Sequence, residues 1–232
     1  MVTALRSSRP RGPRWLRWDN EGTAASVRAG VAKEWCGVPK IVDHDARRAE
    51  IVRATWRIIA RHGFESATMR EIAAEAGYAN GALKPYFATK NDLLRATYQF
   101  VFEQTNDRAS AAHDDESGLD ALTRFCREVL PLDATRIDEA RVVVAFWGAA
   151  ENIPAAQDQH ITSMGMWREW LIDWLTQIDP SRDQTAAADV LLQFLLGAQI
   201  TAALNPNRAT AEGYEAQLAT LLEGLVGVRP SD

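Results

Sequence analysis

The sequence predicts an all-α protein: an amino-terminal helix-turn-helix unit of three helices, followed by a domain of six. Three observations predict it. From Asp45 onward apolar residues recur at three- and four-residue spacing, and no sustained alternation marks a strand. Two capping signatures, Thr68-x-x-Glu71 and Thr89-x-x-Asp92, bracket a short stretch in which Gly77 stands where a helix must end at positive φ. Beyond them, Asn152-Ile-Pro154, Asp179-Pro180 and Asn205-Pro-Asn207 divide the chain into helix-length pieces.

A first helix is expected over 45–62, with Ile51, Ala54, Ile58 and Ile59 on one face and Gly63 as its exit. The second, over 69–76, begins at the Thr68 cap and carries Ile72, Ala73 and Ala76 inward. The third, over 80–87, turns Leu83 and Phe87 inward and leaves Asn80, Gly81, Ala82, Lys84 and Tyr86 on an outer face. A fourth, over 89–112, ends at the polar run Asp114-Asp-Glu-Ser-Gly118, and further helices are expected over 117–130, 135–150, 155–178, 183–204 and 210–226. Two short helices crossing over a tight turn form a helix-turn-helix, whose second helix fits a DNA major groove.

Residues 1–44 differ from the rest. Arg6, Arg9, Arg11, Arg14 and Arg17 precede the first acid, interleaved with Pro10, Gly12, Pro13, Trp15 and Trp18, and no helical or strand period is sustained. The segment reads as a disordered basic extension. It is either an arm that follows phosphates or enters a minor groove, or a product of start-site choice, with translation expected to begin at Val38.

The net charge of −5 argues at first sight against a nucleic-acid partner, but its distribution reverses the conclusion. Residues 1–92 hold 16 Lys and Arg against 10 Asp and Glu, whereas residues 93–232 hold 10 against 21. A basic end on an acidic body suits a protein of which only one end meets phosphate. Cys36 and Cys126 lie in unrelated contexts, so free thiols are expected. No uninterrupted apolar run approaches membrane length and no secretory h-region follows the first arginines, so a cytoplasmic protein without membrane contact is expected. His44, His62, His113 and His160 are scattered and no catalytic or metal-binding signature is present, which speaks against an enzyme, a metal or a cofactor.

The stretch from Arg47 to Leu94 resembles the DNA-binding domain of the TetR family of bacterial transcriptional regulators. The resemblance runs through Ile51, Ala54, Ile58, Ile59, Gly63, Phe64, Thr68, Ile72, Ala73, Ala76, Gly77, Gly81, Leu83, Tyr86, Phe87 and Lys90. More loosely, Arg141–Ala150 and Met166–Trp174 resemble the carboxy-terminal domain of its BetI-like branch. The resemblance implies a DNA-binding domain over 45–92 and an effector-binding and dimerisation domain over 93–228. It further implies a homodimer on a palindromic operator and an unidentified small-molecule effector that releases the repressor from DNA.

The resemblance also assigns roles. Thr68 and Lys90 are expected to contact the DNA backbone, and Tyr86 a phosphate or base edge. Asn80, Gly81 and Ala82 are expected to approach bases, and Arg70 to make a phosphate or base contact. Three positions depart from the family pattern: Ala79 replaces a capping serine, Lys84 a phosphate-gripping tyrosine, and Pro85 an aromatic residue or histidine. Lys84 still offers a positive charge to a phosphate or a guanine edge. For the effector, Trp167, Trp170 and Trp174 share one helical face, and Phe125, Trp147 and Phe194 lie on helices expected to neighbour it. Glu151, Gln193 and Asp173 are the candidate orienting groups, and the alternative is plain core packing. Aromatic cages suit quaternary ammonium ions, and the BetI-like branch includes choline sensors. For the dimer, Leu191, Leu195 and Ala198 on the penultimate helix and Leu218, Leu221, Leu222 and Leu225 on the last are expected to meet their copies in a four-helix bundle. The alternative reading is a helical adaptor that binds protein without DNA specificity.

Overall fold

The structure is a computed structural model that describes residues 43–79, 81–111, 118–151, 153–208 and 210–227. The arginine-rich extension, Val38 and Asn80 lie outside these residues. Among the described residues the secondary structure is entirely helical: α1 (His44–His62), α2 (Met69–Glu75), α3 (Lys90–Ala111), α4 (Gly118–Val129), α5 (Ala134–Ala150), α6 (Pro154–Ile178), α7 (Thr185–Leu204) and α8 (Ala211–Val226), with a 3-10 turn at Pro206–Arg208.

Local chemistry sets these boundaries. Asp43 caps α1 by accepting from the Asp45 and Ala46 amides, and Gly63 ends it at φ 78°. Thr68 and Glu71 close the expected capping box on α2, the hydroxyl accepting from the Glu71 amide at 3.2 Å while the carboxylate accepts from the Thr68 amide at 3.1 Å. Thr89 and Asp92 repeat the reciprocal pair at the start of α3, at 3.0 and 3.1 Å. Gly77 takes φ 75° where the chain leaves α2.

Among the described residues 81–87, the expected third helix over 80–87 does not form as a continuous helix. Residues 81–86 run as overlapping turns, held by Ala82 N–H to Ala79 C=O at 3.0 Å, Lys84 N–H to Gly81 C=O at 3.3 Å and Tyr86 N–H to Leu83 C=O at 2.9 Å. Two residues explain the difference. Gly81 sits at φ 92°, outside helical space, and Pro85 has no N–H with which to continue an i→i−4 ladder. Leu83 and Phe87 nevertheless point inward, at 1% and 2% exposure.

Two apolar cores result. One joins α1, α2 and the turn segment to Leu93, Leu94, Tyr98 and Val101 of α3 and to Val142, Phe146 and Ala150 of α5. The other gathers α4, α6, α7 and α8 around Phe125, Leu171, Leu191 and Leu195. Packing therefore does not divide at residue 92, because α3 and α5 run through both cores. Arg141 of α5 adds a polar tie, donating to the Ala60 carbonyl in the last turn of α1 at 2.8 Å.

α7 is long and apolar enough to cross a membrane, the only such helix among the described residues, with a mean hydropathy of 1.5. It is interrupted by Asp189, Gln193 and Gln199 and packs against α5, α6 and α8.

Candidate nucleic-acid interface and effector cavity

The turn segment is held from outside. Arg48 of α1 donates to the Tyr86 carbonyl at 2.5 Å, and its guanidinium lies 4.1 Å from the centre of the Phe87 ring. Burial pulls the Arg48 pKa down while Asp45 and Asp92 pull it up. Glu50 accepts a short hydrogen bond from the Tyr78 hydroxyl, which raises the Tyr78 pKa, and Arg47 stacks over the Tyr78 ring at 5.4 Å. These contacts add to the backbone bonds that hold the segment, which include Phe87 N–H to the Leu83 carbonyl at 2.9 Å.

On this frame Gly81 and Lys84 are exposed, Ala82 is half-buried, and Tyr86 is half-buried with its ring tilted against His44 at 5.2 Å. Thr68 and Arg70 are exposed at the start of α2. The Lys90 ammonium lies 3.9 Å from the Phe64 ring centre and reaches the Glu65 carbonyl at 3.5 Å, which brings the starts of α2 and α3 side by side. Arg70 and Lys90 stand in the first turns of these two helices, whose capping carboxylates, Glu71 and Asp92, accept from the Thr68 and Thr89 amides.

A cavity of about 20 Å³ lies between α3, α5, α6 and α7. Apolar walls come from Val101 and Phe102 of α3, Val143 and Trp147 of α5, Met164 and Trp167 of α6, and Leu196 of α7. Glu139 is its acidic group, and both of its oxygens accept from Arg108, at 2.9 and 2.8 Å. Burial pushes the Glu139 carboxyl up against the pull of Arg108. Arg108 also donates to Glu128 at 2.8 Å, which Arg136 shares at 2.8 Å. Burial also pushes the cavity's Tyr98 hydroxyl up to about 12, against the opposing effect of Ser163.

Of the expected pocket residues, Trp147 and Trp167 line this cavity. The other tryptophans of the stripe pack as core: Phe125 meets Trp167, Trp170 and Trp174 at ring distances of 5.4, 6.0 and 5.3 Å. Glu151 and Gln193 are exposed, Glu151 closing the end of α5, and Asp173 is exposed with Gln177 donating to it at 3.0 Å. Phe194 faces a different feature, an open groove of about 580 Å³ between α7 and α8 that Val190, Leu221 and Leu225 also line. The remaining dimer candidates, Leu191, Leu195, Ala198, Leu218 and Leu222, are buried inside the protomer's own core.

Residues 51–97 match the model of the bacterial regulatory proteins of the tetR family, and residues 118–227 match that of the BetI-type transcriptional repressor, C-terminal. The HTH-type transcriptional regulator PksA of Bacillus subtilis is 31% identical over 179 residues, covering 75% of this chain and 87% of its own. The chain belongs to the TetR family. Solved TetR-like structures agree with its fold. A transcriptional regulator from Rhodococcus superposes with a TM-score of 0.69 at 26% identity, covering 79% of this chain and 99% of its own. A regulator from Saccharomonospora viridis, solved in complex with choline, gives a TM-score of 0.69 at 21% identity, over 77% of this chain and 96% of its own. As a TetR regulator, the chain is a helix-turn-helix transcriptional regulator that binds DNA.

Sequence reasoning missed Arg48, Arg141, Glu139 and Gln199. The last two carried a readable signal, a polar residue on an otherwise apolar helical face, with Glu139 in register with Val143 and Trp147 and Gln199 with Leu195. The partners of Arg48 and Arg141 lie 38 and 81 residues away, so no local pattern reveals them.

Proposed function

We propose that the protein is a homodimeric, cytoplasmic repressor that leaves a palindromic operator when a small molecule binds between α3, α5, α6 and α7. The cavity carries this reading. It borders Glu139, Val143 and Trp147 of the same α5 helix that packs Val142 and Phe146 into the DNA-binding core and ties Arg141 to α1. A molecule entering a space of about 20 Å³ has to move those walls, so it binds a second arrangement better and shifts the population toward it. α3 and α5 carry that shift to the DNA-binding unit. The choline-bound Saccharomonospora regulator supports a small-molecule effector in this fold. The dimer is proposed to form through the open α7–α8 groove, where a second copy would cover Val190, Phe194, Leu221 and Leu225.

DNA contact is assigned to Lys84, Tyr86, Gly81 and Ala82 of the turn segment, with Asn80 beside them, and to Thr68, Arg70 and Lys90 at the two helix starts. The division at residue 92 then separates DNA contact from effector and dimer contact. Footprinting on the DNA upstream of the protein's own gene tests the reading. Two protected half-sites spaced by about one helical turn, or a multiple of it, support it. Protection of no site, with a protein partner recovered instead, would favour an adaptor.

A further inference from the structure

The cavity also bears on the chemistry of its occupant, an inference that rests on its being the effector site. Gln199 is 8% exposed and lines the cavity, and its Nε2 donates a short hydrogen bond to the Val129 carbonyl. That bond fixes the orientation of the amide and leaves Oε1 buried with no partner among the described residues. The indole Nε1 of Trp147, on the facing helix, is likewise buried and unpartnered. The Tyr98 hydroxyl, which lines the same cavity, is buried and unpartnered as well, so an acceptor, a donor and a hydroxyl stand unmet beside the Glu139–Arg108 pair, and burial of such groups is costly until something meets them.

The lining carboxylate that a cation would need, Glu139, is already occupied. Both of its oxygens are held by Arg108, so an entering cation would lose its hydration without gaining a free anion. Two of the lining rings have one face taken, while Trp147 makes an edge contact with His160 at 5.9 Å. Trp167 stacks on Phe102 at 5.1 Å, and Tyr98 on Phe146 at 3.9 Å. Cation–π attraction needs an open ring face. Met164 and Leu196, both half-buried, are the walls that can give way, Met164 through its flexible thioether.

We propose that the effector is an uncharged, largely apolar molecule carrying a hydrogen-bond donor for Gln199 Oε1 and an acceptor for Trp147 Nε1, and that the site discriminates against quaternary ammonium ions. A matched pair of probes isolates charge: 3-tert-butylphenol and (3-hydroxyphenyl)trimethylammonium share a shape and a hydroxyl. Each is titrated into the full chain, following the rise in melting temperature and the tryptophan emission. The neutral probe is expected to bind at least about tenfold more tightly than the cation. Trp147→Phe, which keeps a ring, and Gln199→Leu are each expected to weaken the neutral probe by roughly threefold to tenfold. Should Gln199→Leu fold poorly, Trp147→Phe carries the comparison alone. Tighter binding of the cation would overturn the proposed class while leaving the cavity as the effector site. Neutral binding indifferent to both variants, or no binding of either probe at millimolar concentration, would overturn the class and count against the effector site as well.

Discussion

Replacing Arg48 with methionine separates a positioned turn from a self-sufficient helix. The side chain donates a charged hydrogen bond to the Tyr86 carbonyl at 2.5 Å and stacks on Phe87 at 4.1 Å. A hydrogen bond to a charged group is worth roughly 1.5–3 kcal/mol and a cation–π contact about 0.5–1. Arg48 is only half-buried, so a combined loss of about 2 kcal/mol is the working figure. If that loss falls on the turn segment, operator affinity drops about thirtyfold. If it falls on the whole fold, the melting temperature drops by about 4–8 °C. The expected outcome is the first, with only a small change in melting, because residues 81–86 lack a helical ladder of their own. Fluorescence anisotropy across a salt series supplies the control. Arg48 is not assigned to a phosphate, so the slope of log K against log salt should equal that of the wild type. Wild-type affinity in Arg48→Met would refute the claim that this contact positions the segment, and a reduced slope would show that Arg48 itself meets DNA.

The same geometry sets other outcomes. Lys84→Ala is expected to reduce the salt slope by about 0.9 and to weaken operator and scrambled duplexes alike, as a phosphate contact does, read from the same salt series. Phe194→Asp, in the α7–α8 groove, should give a monomer in sedimentation experiments, whereas Leu191→Ala, in the protomer core, should cost about 2–5 kcal/mol in urea unfolding. Burial pushes the Cys126 thiol up to about 12 from an ordinary value near 8.5. A raised thiol pKa keeps the sulfur protonated, so in a Cys36→Ser background iodoacetamide at about pH 8 should label only the urea-unfolded chain.

Much of the fold was legible in the sequence because the deciding interactions are local. Each capping box lies within four residues, Gly63 and Gly77 mark chain reversals, and the inward pair Leu83 and Phe87 obeys i, i+4 spacing. The third helix failed for a local reason also present in the sequence, Gly81 and Pro85 within five residues of each other. Which face of α7 packs into the protomer core was not legible. In Val190–Leu196 only Gln193 is polar, so periodicity cannot say whether Leu191 and Leu195 or Val190 and Phe194 face the protomer core. The tryptophan stripe posed the same problem, since a stripe fixes which side chains share a face without fixing what covers it. Phe125 covers it, from a helix more than 40 residues away. Glu139 and Gln199 were readable in the sequence as polar residues on apolar faces, but that they share one cavity follows only once α5 and α7 are brought together with α3 and α6.

The most direct test of the account is anisotropy at about 150 mM salt with the gene's own upstream DNA and a scrambled duplex, comparing wild type with Lys84→Ala/Tyr86→Ala. The account predicts binding at least about a hundredfold tighter to the upstream DNA, lost in the double variant. Equal affinity of wild type and double variant for that DNA would contradict the assignment of the Gly81–Tyr86 turn as the DNA-reading element.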